Sequence, residues 1–280
     1  MLSGKERAGL LGGAIGLALG AGAVLLGGHL WRLLRGRRLL PFETAPPHPD
    51  WKVGDKQPHP FATDKMLALD VAELGGPKCY PLVISAIAPR PIAFVSTLSA
   101  AGVGNLAPYS YFGVVSHDPP HVCIGMVRSR DRPSGRKDTL ANILATREFT
   151  LNMMSEWFVE AANHTCGNFE EAVDEMALVG LTPVASLRVK PPRVAESAVH
   201  MECVLVDTHE VRNEASGAVT ATIVIGKVLM FHVHEAVATR TPSGAVAVDV
   251  EAMRPISRLG GNTYGRTAGT FDLPRPDRKV

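Results

Sequence analysis

The segment that decides the fold is "APRPIAFVSTLSAAGVGNLAPYSYF", residues 88–112. It begins with an apolar run, "PIAFVSTL", whose β-branched and aromatic residues are typical of a buried strand. Gly102 and Gly104 follow, and they suit a tight turn because glycine adopts backbone conformations that other residues avoid. The strand-like pattern then resumes. The segment predicts a β-hairpin and not a dinucleotide-binding loop, which needs a third glycine and a following helix.

Polar side chains stand inside this hairpin, at positions where the surrounding residues form a core: Ser96, Thr97, Asn105 and Ser110. A buried hydroxyl or amide without a partner costs about 1–3 kcal/mol, so each group needs a hydrogen bond. The sequence leaves two sources open: the side chains bond other protein groups, or they face a polar ligand. Pro108 favours the ligand, because proline cannot donate to a strand ladder and so marks an interruption beside the polar groups.

Short strand-like runs continue through the chain, with few helical segments between them. The runs are "HVCIGMV", "FTLNMM", "HMECVLVDTHEV" and "VTATIVIGKVLMFHVH". Helices are predicted for "DTLANILATRE" (138–148), "SEWFVEAANHT" (155–165) and "AVDEMALVG" (172–180). A doubly wound parallel sheet would need strands and helices in regular alternation, which is absent. We therefore expect a mainly β fold of α+β content, a closed or nearly closed antiparallel barrel with short flanking helices.

The N-terminus has a different character. Residues 8–31 contain no Asp, Glu, Lys or Arg and are long enough to cross the hydrocarbon core of a membrane, about 30 Å, as one apolar helix. The more basic flank follows this segment, which favours a membrane anchor that leaves the soluble domain facing the cytosol. A cleaved targeting peptide, with a mitochondrial destination, is the alternative. We expect 1–38 to be this anchor or targeting segment. Residues 39–66, with six prolines, then form an extended tether, and 67–280 form the folded domain.

The composition and motifs of the chain give no support to nucleic-acid binding, to a metal site or to three common enzyme motifs. Its 280 residues carry a net charge of +2, so no global positive field points to nucleic acid. The four cysteines are far apart and lack metal-ligand spacing, which favours a reducing compartment and no metal site. The chain has no nucleophile elbow, P-loop or zinc-protease motif.

Two further segments have the composition of a binding site. "RSRDRPSGRKDT" (128–139) collects five cations before a predicted helix start. A phosphate there would meet free backbone N–H groups, the positive end of the helix dipole and the Thr139 hydroxyl. A solvated basic loop is the alternative, and the coincidence of cation and helix start favours the anion site. "PISRLGGNTYGR" (255–266) supplies a cation and an aromatic ring beside two glycines, and a tie across the barrel rim is an equally good interpretation.

Taken together, these segments resemble the flavin reductase-like family of FMN-binding split barrels. The likeness is carried by residues 88–112, 128–143, 149–186 and 189–205 and by "PISRLGGNTY" (255–264), which fall in the family's order over about residues 80–265. Residues 1–66 lie outside it. The family often has a proline-glycine turn before its "VDE" helix, whereas this chain reads "NFEEAVDE". This departure leaves the conformation of loop 166–172 open, and the loop is a candidate cover for the flavin.

The resemblance implies a homodimer that holds FMN without a covalent bond near the subunit interface. By position, the residues that would line the flavin and its ribityl chain are Thr97, Asn105, Ala107 and Ser110, and those at the phosphate are Lys137, Asp138 and Thr139. The same comparison adds Arg90, Tyr111, Arg258 and Tyr264.

The resemblance also implies an oxidoreductase, a flavin reductase with NADH or NADPH as electron donor and a partner oxygenase as a candidate recipient of reduced flavin. The flavin carries the chemistry in such a protein, so we expect no catalytic side chain. Two alternatives remain open. One is an FMN electron-transfer protein without pyridine-nucleotide turnover, and the other is a non-catalytic, membrane-anchored flavin-binding scaffold.

Overall fold

The structure, a computed structural model, describes residues 45–57, 60–267 and 269–276. The predicted anchor at 8–31 and the first part of the tether lie outside the described residues. Within the described ranges, no helix combines the length and the apolar character needed to cross a membrane. The chain divides into two units, one made of residues 1–57 and 268–280 and the other of 58–267. In the first unit, 45–57 and 269–276 contain no helix or strand.

Among the described residues, two helices precede the strands, α1 (Val71–Leu74) and α2 (Gly76–Ala86). The sequence patterns do not predict α2, because its Pro77 and Pro81 look like helix breakers. Pro77 lies in the first turn, where its missing N–H is not needed. Asp70 caps α1, since its carboxylate accepts hydrogen bonds from the backbone N–H groups of the first turn.

Seven strands form the main sheet, and all their pairings are antiparallel. They are β1 (Ala93–Leu98), β2 (Gly104–Tyr109), β3 (Phe112–His117), β4 (Pro120–Val127), β5 (Glu148–Met153), β8 (Val199–Arg212) and β9 (Val219–Val233). Their order in space is β2-β1-β5-β8-β9-β4-β3. The predicted hairpin is confirmed, with Thr97 opposite Asn105. Three small two-stranded pairs complete the strands: β6 (Pro183–Val184) with β7 (Arg193–Val194), β10 (Ala238–Arg240) with β11 (Val246–Val248), and β12 (Ile256–Arg258) with β13 (Tyr264–Arg266).

The two edges of the sheet lie close together. The edge strands β2 and β3 follow each other in the chain and are separated only by Ser110 and Tyr111. A two-residue connection cannot span a flat sheet of seven strands about 4.8 Å apart, so the sheet must curl back on itself. The N–H of Gly125 in β4 donates to the carbonyl of Tyr111 at 2.6 Å, which ties the junction of the edges to the next strand. The antiparallel, barrel-like prediction is confirmed.

Helices cover the sheet as the sequence predicts, within a few residues. The predicted helix at 138–148 is α3 (Asp138–Thr146), and the two short ones are a 3₁₀ turn (Glu156–Phe158) with α4 (Val159–His164), and α5 (Glu175–Leu178). A last helix, α6, spans Val250–Met253.

The strands of the curled sheet place apolar side chains on both faces. Leu140 and Ile143 of α3 pack into the interior cluster together with Val95, Phe149 and Leu151. The neighbouring residue of β1, Phe94, faces the other way, because successive side chains of a strand alternate. It belongs to a second cluster, which contains residues of α4 and α5. The two clusters hold β2 between α3 on one side and α5 on the other.

Candidate functional site: two adjoining cavities beside helix α3

A cavity of about 150 Å³ lies where β2, the start of α3, the loop after α4 and the start of α5 meet. Five of the residues that the sequence assigns to a flavin site line it, namely Asn105, Ala107, Lys137, Asp138 and Thr139. Local sequence placed the last three together, whereas the strand pairing brings the first two beside them. The loop after α4, with Cys166 and Phe169, forms another wall.

The start of α3 creates a positive electrostatic potential in this cavity. Lys137 is the N-cap residue of α3, and no side chain caps the backbone N–H groups of the first turn. These N–H groups have no partner within the helix by geometry, and the dipole places partial positive charge there. Arg132 binds the carboxylate of Asp138 through two hydrogen bonds, Nε to Oδ1 at 2.8 Å and Nη2 to Oδ2 at 2.6 Å. The negative charge in the first turn is therefore neutralised, and the ammonium of Lys137 lies 5.9 Å from the ring centroid of Tyr109.

A hydrogen-bonded network fixes the opposite wall. The Asn105 amide Nδ2 donates to the Thr97 hydroxyl at 3.0 Å and to the Thr139 hydroxyl at 2.8 Å. Asn142 donates to the same Thr97 oxygen at 3.1 Å. Both donor positions of the Asn105 amide are thus in use, and among the described residues no donor reaches its Oδ1. Asn105 is only 8% exposed and lines the cavity, so an acceptor oxygen is available to a ligand.

Thr97 has a different position from the one expected by resemblance. Its side chain is 0% exposed and lines neither cavity. It accepts hydrogen bonds from two buried amides and thereby orients Asn105 toward Thr139. The sequence left open whether the polar residues of the hairpin bond other protein groups or face a ligand, and Thr97 and Asn105 differ in this respect. Thr97 is satisfied inside the protein, whereas Asn105 is satisfied only in part.

The sequence patterns miss several residues of this cavity, among them Tyr109 and Glu175. Burial raises the pKa of the Tyr109 phenol well above its ordinary value, with a hydrogen bond to Thr139 opposing the shift. Burial also raises the pKa of Glu175, although the N–H of Leu106 donates to its Oε2 at 2.9 Å. The Leu106 side chain is buried, but its backbone N–H points away from the sheet on the edge strand β2 and needs a partner from outside the sheet. The unpaired N–H of an edge strand was the signal in the sequence for a nearby acceptor. The acceptor, Glu175, lies 69 residues away in the chain, so local patterns do not identify it.

A second cavity of about 560 Å³ adjoins the first, and Pro108 and Cys166 line both. Three residues from the resemblance line it, namely Ser110, Arg258 and Tyr264. Arg258 stacks on Tyr264, with its guanidinium carbon 4.5 Å from the ring centroid, and donates to the Gly261 carbonyl at 2.6 Å. The Tyr264 hydroxyl donates to Asn163 Oδ1 at 2.7 Å, which leaves the Asn163 amide N–H groups as donors toward this cavity.

Arg90 and Tyr111 line neither cavity. Arg90 is buried, and its guanidinium donates to the Leu259 carbonyl at 2.7 Å, to the Ile87 carbonyl at 2.8 Å and to the carbonyl of Ile84. It also donates to the Ser110 hydroxyl at 3.4 Å. Arg90 therefore braces the wall of the second cavity from behind. Tyr111 packs toward β4, and burial raises its pKa.

The loop at 166–169 is part of the site. Cys166, Gly167, Asn168 and Phe169 line the first cavity, and the Phe169 carbonyl accepts a hydrogen bond from Arg132 at 2.6 Å. The same arginine that neutralises Asp138 thus holds the loop. Burial raises the pKa of the Cys166 thiol, and the nearby cations Arg258 and Lys137 oppose that shift.

Known proteins share this arrangement of strands. Residues 85–246 match the family described as "Flavin reductase like domain", and the match covers more than half of the chain. The chain belongs to the flavin reductase-like family. Membership confirms the resemblance seen in the motifs and supports a flavin cofactor and an oxidoreductase activity.

Relatives of this flavin reductase-like chain match about three quarters of its length. An uncharacterised protein of Bacillus subtilis, YwrF, is 35% identical over 75% of this chain and 100% of its own length. The solved structure of nitrilotriacetate monooxygenase component B from Bacillus cereus is 33% identical, with a TM-score of 0.69, and covers 75% of this chain and 100% of that one.

A third likeness concerns the fold alone. A structure from Shewanella frigidimarina, described as a flavin reductase with a split barrel domain, has a TM-score of 0.61 at 22% identity. It covers 73% of this chain and 96% of its own. The curled sheet of this flavin reductase-like chain is therefore a split barrel.

Proposed function

We propose that the chain is an FMN-dependent flavin reductase that uses NADH or NADPH as electron donor. The observation that carries this proposal is the uncapped start of α3, which faces a cavity lined by Lys137 and Thr139. A helix start of this kind is an anion site, and a phosphate ester is the anion that a flavin mononucleotide offers. Riboflavin, which lacks the phosphate, would not use it.

The donor set of the first cavity fits the phosphate and the ribityl chain. Lys137 supplies a cation, the first turn of α3 supplies backbone N–H groups, and Thr139 supplies a hydroxyl. Asn105 Oδ1 is an acceptor in the same wall, which suits a ribityl hydroxyl group. Arg132 removes the repulsion that Asp138 would otherwise exert on an anion. The first cavity is therefore assigned to the phosphate end.

The second cavity suits the ring system. Its volume of about 560 Å³ lies within the range of about 300–1,000 Å³ that small-molecule sites have. It joins the first cavity at Pro108 and Cys166, so one elongated ligand can extend through both. The stacked pair of Arg258 and Tyr264 offers a flat wall with a positive charge to a planar ring.

A bound flavin supplies the redox chemistry, since its ring accepts hydride and passes electrons on. The polypeptide's part is to bind the phosphate, to orient the ring and to leave one face accessible. No side chain has to act as a nucleophile or a general base.

We also propose a partner, an oligomeric state and a location for the chain. A similar protein is named as component B of a monooxygenase, which supports transfer of reduced flavin to a partner oxygenase. Family resemblance supports a homodimer. The apolar segment 8–31 supports a membrane anchor with the flavin domain facing the cytosol.

The test is an absorbance measurement on the purified full-length chain. With FMN bound, the protein should be yellow, and anaerobic addition of NADH or NADPH should bleach the flavin absorbance. Binding without bleaching by either nucleotide would favour the FMN electron-transfer protein or the scaffold. A colourless protein that shows no thermal shift with FMN would reject the proposal.

A further inference from the structure

Glu175 is a buried acid at the cavity assigned to an anion. Its side chain is 7% exposed and lines the first cavity together with Lys137 and Thr139. The carboxylate is held in place, because Oε2 accepts a hydrogen bond from the Leu106 N–H at 2.9 Å and its own backbone N–H also donates to the group. A carboxylate fixed beside a phosphate site opposes the binding of a phosphate, unless it changes its charge.

The charges around Glu175 do not cancel the electrostatic repulsion between its carboxylate and a phosphate. The ionisable groups that line the same cavity are Tyr109, Asp131, Arg132, Lys137, Asp138 and Cys166. Arg132 is committed to Asp138 at 2.6 Å, which leaves Lys137 as the cation available in that lining. On its own helix, Glu175 follows Asp174, whose carboxylate caps the first turn by accepting from the Met176 N–H at 2.9 Å. Burial, Asp138 and Asp174 all raise the pKa of Glu175.

A bound phosphate adds to the negative charge around Glu175. The second pKa of a phosphate monoester is about 6, so free FMN is a dianion at pH 8. Two like charges that share a site strongly favour protonation of one of them. A carboxylic acid that has gained a proton is a donor, and it can bond to a phosphate oxygen where a carboxylate would repel it.

We infer that Glu175 is ionised in the flavin-free protein and takes one proton from solvent when the phosphate of FMN binds at the start of α3. This inference rests on the proposed function. One proton and one FMN enter the site together. The new O–H of Glu175 donates to a phosphate oxygen, and the other oxygen keeps its bond with the Leu106 N–H. Cofactor retention is therefore linked to pH. The dissociation constant of FMN rises about tenfold per pH unit between the pKa of Glu175 in the free protein and that in the complex.

The experiment is calorimetry on the full-length chain, freed of flavin and titrated with FMN at pH 8. Each titration is run in two buffers that differ in ionisation enthalpy, because the difference in heat counts the protons taken up. We expect about one proton per FMN. Riboflavin, titrated in the same way, should bind more weakly and take up none. This measurement needs no variant, so it does not depend on whether a substitution at this buried position allows folding.

Two variants identify the group that takes up the proton. Glu175→Gln keeps an acceptor for Leu106 and supplies permanent N–H donors, so FMN should bind without proton uptake and with an affinity that no longer falls between pH 7 and pH 9. Asp174→Asn is the matched control. It removes a neighbouring negative charge but keeps a good helix cap, and it should retain the uptake of about one proton.

The outcomes separate this inference from the proposed function. Tight FMN binding without proton uptake in the wild type contradicts the role of Glu175 and leaves the flavin site intact. Uptake that persists in Glu175→Gln places the proton on the phosphate or another group, and it also contradicts the inference. Failure of both FMN and riboflavin to bind rejects the proposed function itself.

Discussion

Lys137 combines two roles at the start of α3, because its backbone is the N-cap at which the helix begins and its side chain lines the first cavity. Arg136, its neighbour, lines a different cavity, between the ends of β4 and β9. The two cations differ by one position in sequence but face different sides of the helix start. This contrast gives a direct test of the phosphate assignment.

Lys137→Ala should weaken FMN binding by about 1.5–3 kcal/mol, because a charge-assisted hydrogen bond is lost. That loss corresponds to roughly a 10- to 150-fold rise in Kd. Fluorescence titration with FMN measures it at low salt. Arg136→Ala is the matched control and should change Kd little, as should either variant with riboflavin. Equal FMN affinities of wild type and Lys137→Ala would assign Lys137 to solvent.

Thr97→Val tests the network behind the cavity. Valine keeps the volume but removes the oxygen that accepts from Asn105 and Asn142, which leaves buried N–H donors without partners. We expect a loss of about 1–3 kcal/mol in the free energy of unfolding, measured in urea, and weaker FMN binding. Thr146→Val, at the other end of α3, should leave FMN affinity unchanged. Normal affinity in Thr97→Val would show that Asn105 needs no support from Thr97.

The residues that form the site were only partly predictable from sequence. Lys137 and Thr139 could be found because a helix start is a local feature. Glu175 and Tyr109 could not, because their burial depends on α5 packing against β2 across 69 residues. The resemblance assigns Thr97 and Arg90 to the flavin site, whereas the fold places them one layer behind the cavities.

At the scale of elements, polar side chains on one face of the sheet hold segment 187–194, which ends in strand β7. In β5, Glu148 accepts from the Lys190 N–H at 2.9 Å, and Asn152 Oδ1 accepts from the Val194 N–H at 2.9 Å. In β8, Glu202 is 0% exposed and accepts from three successive backbone N–H groups, those of residues 187–189. His232 of β9 lies 2.6 Å from Glu202 Oε1.

Glu202→Gln should destabilise the fold by about 1.5–3 kcal/mol at pH 7, since charge-assisted hydrogen bonds are weakened. The hydrogen bonds of the 187–189 backbone and His232 together hold the pKa of Glu202 below its ordinary value of 4.5 against the opposing effect of burial. This stabilisation is complete above pH 4.5 and is lost as pH falls through the lower, folded-state pKa. The difference between wild type and Glu202→Gln in urea unfolding should therefore shrink in acid.

The control for this prediction is Glu210→Gln on the same strand. Glu210 pairs with Arg212 at the surface, where a salt bridge contributes little, and its loss should be within about 1 kcal/mol. A constant difference between wild type and Glu202→Gln from pH 7 down to pH 3 would contradict the linkage. The sequence could not reveal these hydrogen bonds to segment 187–194, because the alternating polar residues of β5 and β8 look like an ordinary solvent-facing side of a sheet.

At the scale of the whole molecule, the edge strands β2 and β3 meet at Ser110 and Tyr111, and the site lies beside that meeting point. β2 therefore shows its outward edge to α5 and its polar side chains to α3. The strand content and the antiparallel barrel followed from the length and spacing of the apolar runs. The volume of the second cavity did not, because its walls come from β2, the region of α4 and the β12–β13 pair, which are far apart in the chain.

The N-terminal segment leads to a prediction about location. If 8–31 anchors the chain, the full-length protein should stay with membranes after carbonate extraction, because an apolar helix of this length partitions into the bilayer. A chain that begins at residue 39 should be released into the supernatant and should bind FMN with unchanged affinity. Release of the full-length protein by carbonate would contradict the anchor without affecting the flavin site.

The most direct test of the central claim is a crystal structure of the protein with FMN. The phosphate should lie at the start of α3, within hydrogen-bond distance of the Lys137 ammonium and the Thr139 hydroxyl. The ring should extend past Pro108 and Cys166 toward Arg258 and Tyr264. A phosphate bound elsewhere, with Lys137 and Thr139 directed away from it, would contradict the account.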